Sequence, residues 1–146
     1  MISLLSVFRL TGVLLLTFVL SMTAAAADWS TNDQAEFQRI IGSQISAFRV
    51  DDAAKAYSFA SPSVKAKFTS STVFMSMVRT GYPAVYRARS FSFEGLSKEL
   101  GDPTQRVKLI GPEGSTWLAL YGFQKQPDGS WRISAVVITK SPGAAA

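Results

Sequence analysis

Arg79, Tyr82, Tyr86, Arg87 and Arg89 fall within a stretch of eleven residues, the densest group of chemically capable side chains in the chain. A guanidinium presents a planar fork of N–H donors that matches a carboxylate or a phosphate, and tyrosine hydroxyls beside it add neutral donors and acceptors. These five residues are the candidate ligand-binding set, and their chemistry suits an anionic or amphipathic small molecule. Val85–Phe93 reads as a strand of period two, with Val85, Arg87, Arg89, Phe91 and Phe93 on one face. Charges on an apolar face are costly unless they are paired or reach water. Either the arginines open onto a cavity mouth, or Asp51, Asp52 or Glu94 neutralises them.

The chain contains no His and no Cys. Ser-His-Asp hydrolysis and thiol chemistry are excluded, as are zinc, haem and iron–sulfur sites built on those ligands. The segments Gln105–Ile110, Thr116–Lys125 and Trp131–Thr139 carry no Asp or Glu. Asp51 and Asp52 read as helix caps. No catalytic residue, metal-ligand set or cofactor is expected, and a His-free acid–base enzyme would have to rely on Asp52 or Glu94. Trp117, Tyr121, Phe123 and Trp131 read as core aromatics.

The elements that must position these groups divide into a helical half and a strand half. Ser30–Val50 is an amphipathic helix with Phe37, Ile40, Ile41, Gln44, Ile45 and Phe48 on its buried face. Asp51 and Asp52 end it and cap a second helix, Ala53–Ala60. Ser61-Pro62 opens a short helix to Phe68. Thr72–Thr80 is helical and stops at Gly81. Strands follow at Val85–Phe93, Gln105–Ile110, Thr116–Lys125 and Trp131–Thr139, with Pro127-Asp128-Gly129 as a hairpin turn. The last two strands are apolar on both faces, which predicts a mid-sheet position. The fold class is α+β: N-terminal helices packed on a curved four-stranded antiparallel sheet.

Residues 1–27 read as a cleaved signal peptide. Arg9 precedes the apolar run Leu10–Met22, and Ala25-Ala26-Ala27 forms a small-residue cleavage pattern. Thirteen apolar-run residues are short of the roughly 20 that a membrane span needs, so no stable span is expected after cleavage. The expected organisation is the signal at 1–27, one domain at 28–140 and a disordered tail at 141–146. The expected location is periplasmic or secreted. The whole chain's net charge of +5 falls to +4 once Arg9 leaves. That is too modest for a nucleic-acid partner. The remaining partner classes are a small molecule, a second copy in a homodimer, or another protein docked on the sheet face.

Several stretches carry a family likeness. They are Gln44–Arg49, Asp52–Pro62, Phe74–Pro83, Val85–Arg87 and Asp128–Ile133. On them the chain resembles an uncharacterised proteobacterial family known as domain of unknown function 4864. The order of helices and strands is similar to the nuclear transport factor 2-like, or cystatin-like, cone. The resemblance implies a pocket at the open end of the cone and no particular activity. The expected function is therefore a small exported binding or accessory protein, or alternatively an interaction module.

Overall fold

The computed structural model describes residues 29–142. The signal reading at 1–27 and the tail from 143 onward lie outside them. The first helix, α1, is Thr31–Arg49. Ser30 caps it by accepting from the Asp33 N–H, and the Asp33 carboxylate accepts from the Ser30 N–H in return, a closed capping box. Every residue expected on its inner face is buried, Phe37, Ile40, Ile41, Gln44, Ile45 and Phe48, with Ala47 beside them. Shorter helices follow, α2 at Ala53–Ser58 and α3 at Pro62–Lys67, then α4 at Ser71–Gly81 and a single turn, α5, at Pro83–Tyr86.

The strands are β1 at Ser90–Ser97, β2 at Thr104–Ile110, β3 at Thr116–Lys125 and β4 at Trp131–Lys140. They form one antiparallel sheet in the order β1-β2-β3-β4. The α+β class is as expected. The helices cover one sheet face, where Phe37 stacks on Phe123 at 4.4 Å between centroids and meets Trp131 edge-on at 4.9 Å.

Two expectations are corrected. Val85–Phe93 is not one strand. Pro83 begins α5, because proline's fixed φ suits the first helical position, and β1 starts only at Ser90. Val85 is therefore a helical core residue, and Arg87 and Arg89 share no strand face with Phe91. The second correction concerns β4, which is an edge strand, not a mid-sheet one. Its apolar residues on both faces have another cause. The register passes from Gly122↔Ala135 to Phe123↔Ile133, so Ser134 is an extra residue, a β-bulge. Ile133 faces the core before the bulge, Val136 and Ile138 pack against the core after it, and Val137 is 44% exposed. The edge at Ile133 is covered. Its N–H donates to the Phe59 carbonyl and its carbonyl accepts from the Ser61 N–H.

Candidate functional site

The candidate residues divide between three places. Arg79 leaves the last turn of α4, Tyr86 ends α5 and Arg87 follows it. Their side chains meet at Asp51. The Tyr86 hydroxyl donates to Asp51 Oδ1. Arg87 Nη2 lies 2.9 Å from Oδ2, and Arg79 Nη2 lies 3.4 Å from Oδ1. Both guanidiniums also lie over the Tyr86 ring, at 3.9 Å for Arg87 and 5.6 Å for Arg79. The Tyr86 hydroxyl, Arg87 and Arg79 together hold the Asp51 carboxyl below the usual carboxylate range. Of the two possibilities weighed for Arg79 and Arg87, pairing is what the structure shows.

Asp51 holds this position through its backbone. At φ 55° it occupies the left-handed residue that ends α1. The Asp52 N–H bonds the Ala47 carbonyl at 2.9 Å, and the Asp51 N–H bonds the Phe48 carbonyl at 3.1 Å. This is a Schellman turn, where glycine is the usual residue. Arg87 Nη1 donates to the same Phe48 carbonyl, placing a cation at the negative end of the helix. Asp52 caps α2 as expected, accepting from the Lys55 N–H. The Asp51–arginine cluster thus joins the end of α1 to α4 and α5.

Arg89 stands elsewhere, beside Gly114 of the β2–β3 turn, and makes no ion pair among the described residues. Glu94 pairs instead with Arg106 of β2 at 3.6 Å. Tyr82 is the one member of the candidate set that lines the cavity between the helices and the sheet.

That cavity has a volume of about 310 Å³ and opens to solvent. Its walls are Gln44 and Phe48 of α1, Val64, Lys67 and Phe68 at the end of α3, and Phe74, Met77 and Val78 of α4. Tyr82 and Val85 close a third side, and Tyr121, Ile133 and the bulge segment Ser134–Val136 form the sheet side. The Tyr82 hydroxyl donates to the Val136 carbonyl at 3.1 Å, and Gln44 Nε2 donates to the Ala56 carbonyl at 3.2 Å. These bonds satisfy groups that would be costly unpaired in an apolar lining.

Two polar groups of the lining, one charged and one fully buried, have no partner among the described residues. Lys67, at the exposed end of α3, is the only charged side chain there and has no ion pair among the described residues. The Tyr121 side chain is fully buried, and its hydroxyl has no hydrogen-bond partner among the described residues. A buried hydroxyl without a partner costs about 1–3 kcal/mol. Burial pushes the phenol well above its ordinary titration range, so it stays protonated. Neither Asp52 nor Glu94 lines the cavity, nor does any other carboxylate. Lys67 and Tyr121 were not legible as site residues. Lys67 reads as a surface residue at a helix end, and Tyr121 as one more aromatic on an apolar strand face.

Fold and cavity define a small α+β domain with an apolar, water-accessible cavity between its helices and the sheet. The chain belongs to the family described as Domain of unknown function (DUF4864), whose profile matches residues 30–146. Among curated proteins and among solved structures, nothing matches the chain.

Proposed function

We propose that this is an exported binding protein for a small amphipathic anion, with the ligand's apolar part in the cavity and its charged head at Lys67. The observation that carries this reading is the lining itself, mostly apolar, with Lys67 as its one charged side chain at an exposed wall. Ligand sites of this kind are mostly apolar with a few placed polar groups, and about 310 Å³ lies at the small end of their range, roughly 300–1,000 Å³. Export rests on the pattern of residues 1–27, and the family match begins beyond it. A nuclear transport factor 2-like cone is part of the same reading. It is supported by the long α1 laid against a four-stranded sheet whose outer strands are bent by bulges.

The test is thermal melting and calorimetric titration of Asp28–Ala146 with octanoate, decanoate and dodecanoate. Decyltrimethylammonium serves as the cationic control. At about a hundredfold excess over Kd, a ligand of the native state adds about 2.7 kcal/mol. Carboxylate binding that weakens about two- to fivefold in Lys67→Glu, with no response to the ammonium probe, is the expected result. No response to any carboxylate overturns the reading.

A second reading is a homodimer formed through the outer sheet face. Val137 is 44% exposed there and stands opposite Leu120. Light scattering across a dilution series tests it, and a monomer at every concentration rules it out.

A further inference from the structure

We infer that the ligand of this cavity is bifunctional, carrying a neutral oxygen (a carbonyl or hydroxyl) at its buried end as well as the anionic head, and that the Tyr121 hydroxyl is its hydrogen-bond donor. The inference rests on the binding reading above and adds the chemical class of the ligand and its orientation.

Tyr121 lies on β3, an interior strand, opposite Gln105 on β2 and Val136 on β4. It is completely buried and lines the cavity. Phenylalanine would fill this place in the core without burying an unpaired hydroxyl. Three buried side-chain atoms among the described residues lack partners, Gln105 Oε1, Trp117 Nε1 and the Tyr121 hydroxyl. Only Tyr121 belongs to the cavity lining. The hydroxyl is closed to water in the ligand-free fold, so an entering oxygen reaches it only as the cavity wall yields around Tyr121.

The lining also decides the charge of that entering group. No cation accompanies Tyr121 at depth, because Lys67 is exposed at the other extreme of burial. An anionic head at Tyr121 would be desolvated without a counter-charge. A neutral oxygen loses far less on leaving water and gains the hydrogen bond. Gln44, the other buried polar residue of the lining, already donates from its amide nitrogen to the Ala56 carbonyl. The phenol, held protonated by burial, remains as the donor. An apolar body with an acid at one end and an oxo or hydroxy group at the other meets both unpaired groups at once.

The experiment compares decanoate with its terminal-hydroxy and penultimate-oxo derivatives, titrated into the wild-type domain and into Tyr121→Phe. At least one oxygenated probe should bind wild type more tightly than decanoate, by about two- to tenfold for one added hydrogen bond. In Tyr121→Phe that preference, taken as the ratio of oxygenated-probe to decanoate affinity within the same protein, should vanish or reverse. An independent readout uses wild-type protein with labelled tyrosine. The Tyr121 ring-carbon resonance next to oxygen should move with the oxygenated probe and not with decanoate. If decanoate binds and the oxygenated probes gain nothing, or if their preference survives in Tyr121→Phe, the inference is overturned and the binding reading stands. If none of the three probes binds, both fall.

Discussion

At the scale of residues, Tyr121 and Asp51 each occupy a place where another residue would be cheaper, and that makes them informative to replace. Tyr121 buries an unpaired hydroxyl. In the ligand-free protein Tyr121→Phe should raise stability by about 1 kcal/mol, seen as a higher urea midpoint at unchanged slope. Asp51 holds a left-handed backbone that glycine normally takes, and it does so while its carboxylate gathers Tyr86, Arg87 and Arg79. Because these partners lower its folded-state pKa, its contribution is present above the unfolded value of about 3.9 and is lost as pH falls through the lower folded value. Asn also tolerates this backbone conformation, so Asp51→Asn removes the charge without forcing the turn. The variant should be less stable than wild type near neutral pH. The difference should shrink as both are acidified below about pH 4, as read from melting temperatures across that range. A constant difference at all pH values would show that the ion pairs contribute nothing.

At the scale of elements, the bulge on β4 and the bond between Tyr82 and Val136 shape the cavity. Ser134, Ala135 and Val136 all line it, and Ser134 is the extra residue. Deleting Ser134 restores one-to-one pairing with β3 while keeping Ile133, Val136 and Ile138 on the core face, since faces follow the register. The shortened protein should keep its far-ultraviolet circular dichroism and melt cooperatively, yet lose carboxylate binding because the bulged wall has straightened. Loss of both would mean that the bulge is needed for folding itself. Tyr82→Phe removes the hydrogen bond from the α4–α5 corner to β4. It should cost about 0.5–1.5 kcal/mol, and relaxation kinetics should show faster ligand exchange if this tie restrains the cavity wall.

At the scale of the whole molecule, one core serves two purposes. The inner face of α1 and the matching faces of β2 and β3 form a closed apolar layer, in which Phe37, Ile41, Ile45, Val107, Leu109 and Ala119 are fully buried. Toward β4 the packing is looser, and the cavity lies between the strands β3 and β4 and the helices α1, α3, α4 and α5. Filling that space should therefore affect binding more than folding. Ala135→Phe, on the cavity wall, should abolish the ligand-induced rise in melting temperature and leave the ligand-free melting temperature within a few degrees of wild type. A collapse of the fold would instead place Ala135 in the closed core.

Local pattern alone determined a large part of this protein. The α1 face, the Asp52 and Ser61 caps, the Pro127-Asp128-Gly129 hairpin and the full extent of β3 follow from periodicity and turn chemistry, which act over a few residues. The clustering of arginines and tyrosines near residue 80 was legible too, and so was Asp51 as one of their available partners. The tertiary structure decided the rest. Pro83 could have introduced a strand or a helical turn, and packing of Ala84 and Val85 into the core selected the turn. The two apolar faces of β4 suited an interior strand or a bulged edge, and only the pairing with β3 distinguishes them. The cavity itself is a property of no single segment. It is walled by residues of α1, α3, α4, α5, β3 and β4, so Lys67 and Tyr121 come to share one lining only when segments far apart in the chain come together.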